Sequence, residues 1–132
     1  MPYLQLDVNG TYAREVKQAL ARRLCETYAD AMQADIRRIS VAIREAGHGC
    51  VWRMIGGEPA EVAVLMCDIR RGRTAQVRMA AAERLIEECA AALGLDKHRI
   101  NVEFTQHAGD EMYHPSLGGF SPEWTSEEGA GA

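Results

Sequence analysis

The hydrophobic positions of this chain fall into strand-like and helix-like runs, and the same order of runs occurs twice. In the first copy Tyr3 to Val8 reads as a strand. Val16, Ala19, Leu20, Leu24, Tyr28 and Met32 then recur at helical spacing, with Thr11 placed to cap that helix. A β-branched run from Ile39 to Ile43 returns as a strand. In the second copy Val62 to Ile69 is a strand, and Thr74 stands where a cap belongs. Val77, Ala81, Leu85, Cys89 and Leu93 mark a helix that Gly94 stops, and Ile100 to Phe104 closes the copy as a strand.

The two copies align without gaps at a constant offset of 61 residues. Asp7 matches Asp68, Val16 matches Val77, Ala19 matches Ala80, and Arg23-Leu24 matches Arg84-Leu85. The register continues through Glu26 and Glu87, Ala29 and Ala90, Asp35 and Asp96, and Arg38-Ile39-x-Val41 against Arg99-Ile100-x-Val102. A strand, helix and strand joined by connections this short favour parallel pairing with a right-handed crossover, which sets the helix on one sheet face. The expected fold is α/β (α+β), with two tandem βαβ units forming a four-stranded mixed sheet covered on one face by two helices. The repeat spans residues 1–46 and 62–107, followed by a tail of residues 108–132, all in a single domain of 1–132. The other sheet face is left bare, so a homo-oligomer or the tail is expected to cover it. Between the copies, Glu45 to Glu61 is glycine-rich, and Cys50 to Ile55 reads as a short extra strand.

Composition narrows the classes. A length of 132 residues with 47% hydrophobic content supports one core. A net charge of -4 supplies no general attraction to nucleic acid or anionic membrane, so neither is an expected partner. The start of the chain lacks a basic and apolar leader pattern and no run approaches a membrane span, which gives cytoplasmic residence as the expectation. Cys25, Cys50, Cys67 and Cys89 show no CxxC spacing and are read as reduced, structural thiols. His107 and His114, with Asp110 and Glu111 between them, match no zinc spacing, so no metal or cofactor is expected. Trp52 and Trp124 are expected to bury an interface, and Thr125 to Ala132 to fray.

Two features carry chemistry. Pro2 opens the first strand, and trimming of Met1 would leave a secondary amine there. An α-amino group starts near a pKa of about 7.7–8, and burial or nearby cations disfavour its charged form, so it can act as a base at neutral pH. The second feature is Arg70-Arg71-Gly72-Arg73, between a strand and the helix that follows it. Guanidinium forks in such a loop suit a carboxylate. Because Pro2 corresponds to Ala63 in the repeat, it stands at the opposite end of its strand from this loop. The two must meet through neighbouring strands or subunits.

Together, Pro2, the Arg-x-Gly-Arg segment after Ile69, the Leu93-Gly94 helix end and the final strand near Val102 resemble the tautomerase superfamily. The likeness is to its longer-chain branch, which includes cis-3-chloroacrylic acid dehalogenase and relatives of 4-oxalocrotonate tautomerase. That resemblance implies Pro2 as catalytic acid or base, Arg70 and Arg73 as binders of a substrate carboxylate, and a homotrimer. The dehalogenase pattern also has a histidine late in the first helix, a tyrosine in the last strand and a glutamate in the tail. Tyr28, Glu103 and His114 occupy those places here, so each departs from the pattern.

Hydrolytic dehalogenation needs a positioned water and a carboxylate to deprotonate it, and that arrangement is not visible in this register. The leading expectation is therefore a keto-enol tautomerase acting on a small carboxylate-bearing enol or 2-oxo acid. The alternatives are a hydratase, decarboxylase or dehalogenase of an unsaturated or β-keto acid using the same proline, and a non-catalytic ligand-binding homologue.

Overall fold

The computed structural model describes residues 2–117 and 119. Trp124 and Thr125 to Ala132 lie outside the described residues. Alternation builds the first strand, β1 (Tyr3–Val8): Leu4, Leu6 and Val8 are buried on one side while Tyr3, Gln5 and Asp7 face the other. Helix α1 (Arg14–Met32) lays Leu20, Leu24, Tyr28 and Met32 on that buried face, and β2 (Ser40–Glu45) returns parallel to β1. A hairpin of β3 (Trp52–Ile55) and β4 (Glu58–Glu61) follows. The second unit is β5 (Ala63–Arg70), α2 (Ala75–Leu93) and β6 (Ile100–His107), with β6 parallel to β5. Short 3-10 turns stand at Ile36–Arg38, Lys97–Arg99 and Gly109–Glu111.

The sheet order is β2-β1-β5-β6, with both units parallel inside and the two central strands antiparallel to each other. Both helices cover one face, as the repeat predicts. Leu65, Cys67 and Ile69 from β5 and Ala81, Leu85 and Cys89 from α2 complete a continuous core. Each leucine taken out of water there contributes about 1.5–3 kcal/mol. Cys67 and Cys89 are buried in it, Cys25 is partly buried and Cys50 is exposed, all as free thiols.

The 61-residue offset carries over into three dimensions, with the strands of the second unit one residue longer at each end. It carries the bounds of α1 onto those of α2 and the first 3-10 turn onto the second. Gln5 and Met66 are both repeat mates and cross-strand partners, so a pseudo-twofold axis passes between them. Arg23 of α1 pairs with Glu88 of α2, and its repeat mate Arg84 pairs with Asp30, lacing the helices together across their surface.

The helix starts differ between copies. Thr74 caps α2 by accepting a hydrogen bond from the Val77 N–H at 3.2 Å. Thr11 does not cap α1; the N-cap is Ala13, which has no side chain able to do so. Glu45 at the end of β2 instead ties down the approach to the helix, accepting from the Tyr12 N–H at 2.6 Å and from Lys17 Nζ at 2.7 Å. The Lys17 ammonium, and then the Tyr12 N–H, hold the Glu45 carboxyl below its ordinary range. A depressed folded-state pKa contributes stability above the unfolded value and loses it as pH falls through the folded one. Glu45→Gln should therefore lower Tm at pH 7, with the gap from wild type closing as pH drops below about 4.

The extra strand expected at Cys50 to Ile55 is a hairpin rather than a lone strand, and Trp52 stands exposed on it. The open sheet face is mostly polar. Asp7 pairs with Arg44 at 3.1 Å, and Asp68 contacts Thr105 and His107. No described helix is long and apolar enough to cross a membrane.

Candidate active site

Antiparallel pairing of β1 with β5 sets the beginning of one strand beside the end of the other. Tyr3 lies opposite Asp68, and the same register carried one residue further sets Pro2 opposite Ile69. Pro2 and the Arg70 to Arg73 loop therefore share one pole of the sheet through neighbouring strands of a single chain. Pro2 is buried, its carbonyl accepts from the Ser40 N–H at 3.0 Å, and alternation puts it on the helix side with Leu4.

The loop is held at several points. The Arg71 N–H donates to the His107 carbonyl at 2.8 Å, extending the ladder past the end of β5. Gly72 then takes φ 130°, a backbone region that L side chains rarely enter, and the chain turns back toward the helices. Arg73 is partly buried, and its Nε donates to the carbonyl of Met32, the last residue of α1, at 3.0 Å. A cation at that helix end also meets the negative end of the helix dipole. Arg78 Nη1 donates to the Arg73 carbonyl at 2.7 Å and to Gln106 at 3.2 Å, fixing the loop from the first turns of α2. Burial draws the Arg73 guanidinium below its usual arginine range, with Tyr28 opposing the shift.

Tyr28 is fully buried beside Arg73, and its hydroxyl finds no hydrogen-bond partner among the described residues. Burial raises its pKa well above that of an ordinary phenol, while the Arg73 charge pulls the other way. The hydroxyl is thus a neutral donor. A buried polar atom left unpaired costs about 1–3 kcal/mol.

The remaining expected residues are placed differently. Arg70 ends β5 on the opposite side of the strand from Ile69, so its side chain belongs to the open face and Arg73 is the arginine on the Pro2 side. Glu103 is exposed on that open face, level with Met66 and Gln5 in the middle of the sheet. Within one chain the structure does not bring it to Pro2. His114 lies in the tail, bridged to Gly119, with its Nδ1 accepting from the Ser116 N–H at 3.2 Å.

That tail has an architectural role that side-chain patterns did not reveal. It leaves β6 at His107, level with Arg70, and Arg38 Nη2 donates to the Leu117 carbonyl at 2.7 Å. Arg38 precedes β2, on the far side of β1. The segment carrying His114 therefore runs as a strap from one edge of the sheet to the other at the Pro2 pole. His107, considered above only for metal binding, contacts Asp68 through Nε2, and its Nδ1 lies 3.8 Å from Glu111. Arg38, Arg78 and this Asp68–His107 pair are the site-end residues that sequence reasoning missed. The matching Arg38 and Arg99 of the repeat were the available signal for the first.

The family described as Macrophage migration inhibitory factor (MIF) matches residues 1–113 of the chain. No curated protein matches it in sequence. Among solved structures, the fold is similar to a fused 4-OT, a wild type symmetric trimer, with TM-score 0.77 and 21% identity over 98% of this chain and 99% of that one. It is similar also to N1, a member of the cis-3-chloroacrylic acid dehalogenase family, with TM-score 0.77 and 21% identity over 92% and 85% of the two chains. A third likeness is to Pt0534 inactivated by 2-oxo-3-pentynoate, with TM-score 0.76 and 19% identity over 92% and 96%. At these identities the likeness is one of fold.

Proposed function

Because the chain belongs to the macrophage migration inhibitory factor (MIF) family, we propose that it is a keto-enol tautomerase for a small carboxylate-bearing enol or 2-oxo acid, with Pro2 as general base. The observation that carries this reading is the shared pole: a buried proline, an anchored guanidinium and a buried hydroxyl with no partner among the described residues, all at one end of the sheet. Removal of Met1 frees the Pro2 amine, and the surrounding arginines favour its neutral form. Pro2 takes the enol hydroxyl proton, the electron pair moves to form the carbonyl, and the carbon end of the former double bond receives a proton. Arg73 holds the substrate carboxylate and the charge that develops on oxygen, with Arg70 adding positive potential from the rim. Tyr28 donates its hydroxyl to the same anionic group.

In this reading the domain is the whole of residues 1–132, and its oligomer is a homotrimer. The fused 4-OT with the same fold is a symmetric trimer, which supports the assembly. Glu103, remote from its own Pro2, then acts at the site of a second copy, while His114 acts from the strap. The reaction calls for no metal or cofactor, and cytoplasmic residence goes with it.

Ultraviolet-monitored ketonisation of phenylenolpyruvate and 2-hydroxymuconate by the Met1-processed protein tests the proposal. A rate well above buffer supports it, and a rate equal to buffer for both overturns it for these enols. Tyr28→Phe separates function from packing. Removing an unpaired buried hydroxyl should leave Tm unchanged or raised, while kcat/KM falls about tenfold with the loss of one hydrogen bond to a charged group. A fall in Tm with unchanged kcat/KM would make Tyr28 a packing residue only.

A further inference from the structure

At the pole opposite Pro2 the structure contains a cavity of about 160 Å³. The pseudo-twofold axis explains where it comes from. The 61-residue offset carries Pro2 onto Ala63, Arg38 onto Arg99 and Asp35 onto Asp96, and all three images line the cavity. The same axis carries Arg70 onto Asn9 and Arg73 onto Tyr12, which line it too. The cavity is thus the structural twin of the Pro2 pole with its chemistry exchanged. Ala63 has its nitrogen in a peptide bond, so no basic amine exists here, and the two loop arginines are replaced by neutral side chains.

The wall is already set without a ligand. Asn9 Nδ2 donates to the Val51 and Val62 carbonyls at 3.1 and 3.2 Å, and its Oδ1 accepts from the Cys50 and Val51 N–H groups at 2.8 and 2.9 Å. Its full hydrogen-bonding capacity therefore goes to fixing the β3–β4 hairpin against the cavity. Val62, Ala63 and Leu95 supply an apolar lining. Charges of both signs surround it. Glu61 uses Oε1 to accept from the Gly49 N–H, and Asp96 uses Oδ1 to accept from the His98 N–H, so each keeps a second oxygen available. The Arg99 guanidinium makes no hydrogen bond or ion pair among the described residues.

We infer that this cavity is a non-catalytic binding site for a small zwitterion with a short apolar side chain, of the α-amino acid type. Its ammonium pairs with Glu61 and Asp96, its carboxylate pairs with Arg99, and its side chain fills the apolar lining. A simple carboxylate, the ligand class of the Pro2 pole, meets two carboxylates against one guanidinium here. A simple amine leaves Arg99 unanswered. A volume of about 160 Å³ is near the 150 Å³ or so that holds benzene in an engineered cavity, which limits the side chain to about benzene's six carbons and admits that of leucine.

The test is an NMR titration of the full chain, following backbone amides, with leucine, 4-methylpentanoate and 3-methylbutylamine. Leucine should saturably shift Val62, Ala63 and Leu95, and each half-ligand should bind at least about tenfold more weakly. Arg99→Gln and Glu61→Gln, both at exposed positions, should each weaken leucine binding by about tenfold or more. Arg73→Met, at the other pole, should leave it unchanged. Absence of saturable shifts up to millimolar leucine, equal binding of either half-ligand, indifference to both charge substitutions, or shifts confined to the Pro2 pole would each overturn the inference.

Discussion

Pro2→Ala is expected to lower kcat/KM for phenylenolpyruvate ketonisation by about 10²–10⁴-fold, the usual contribution of a positioned general base. Alanine at position two still allows Met1 to be trimmed, so the variant keeps an amine. It replaces a rigid secondary amine by a mobile primary one. The loss should therefore appear mainly in kcat, with KM changed little, because the arginines proposed to hold the carboxylate are untouched. The fold should survive, since the Pro2 contact that pins β2 is made by its backbone carbonyl to Ser40. Equal kcat/KM for the two proteins, with matching Tm, would remove proline from the mechanism.

Arg73→Met should have the next largest effect, a fall in kcat/KM of about 10²–10³-fold, comparable to losing one preorganised donor to a developing oxyanion. Methionine keeps much of the buried stem and removes the charge. Arg73→Lys should recover only part of the loss, because an ammonium cannot reproduce a fork that already spends Nε on the Met32 carbonyl. Losing that bond at the C-terminus of α1 should cost about 0.5–1.5 kcal/mol of stability, read by urea denaturation. Arg70→Met should do less to kcat/KM than Arg73→Met, because its side chain leaves β5 on the open face. The reverse ranking would mean that Arg70, not Arg73, carries the carboxylate.

Much of the fold could be read from the residues because the two units obey simple periods. β1 was expected at its observed bounds, and the helix faces followed from Leu20, Leu24, Tyr28 and Met32 and from Ala81, Leu85 and Cys89. The shortfalls have physical causes. β6 runs on past Phe104 to His107 because β5 continues to pair through Arg70, although Thr105 and Gln106 are exposed and break the apolar pattern. β4 contains Glu58, Pro59 and Glu61, a poor strand sequence, and forms because β3 and the Asn9 clamp hold it. Thr11 fails as a cap because it stands two residues too early: the cap position, the repeat mate of Thr74, is Ala13.

The candidate site could be listed by residue type from the sequence, but its arrangement could not be read there. A repeat states that two units are alike but not that their central strands run antiparallel, and that pairing is what joins Pro2 to the Arg70 to Arg73 loop. Tyr28 was open to both a core and a functional reading; it is buried in the core, and its hydroxyl has no partner among the described residues. The strap depends on Arg38 reaching a backbone carbonyl at Leu117, an acceptor that every residue type offers and no pattern marks. Glu103 and His114 were placed by alignment with residues of other types. In a single chain only the strap segment of His114 comes to the Pro2 pole.

The most direct measurement of the central claim is peptide-mapping mass spectrometry after incubation with 2-oxo-3-pentynoate, an electrophilic alkyne that also carries a 2-oxo acid group. An uncharged Pro2 amine beside an arginine clamp should take one equivalent of label at the amino-terminal peptide, in step with loss of activity, and Arg73→Met should slow the labelling. Label on Cys50 alone, or an unlabelled amino-terminal peptide in protein shown by intact mass to lack Met1, would contradict the account.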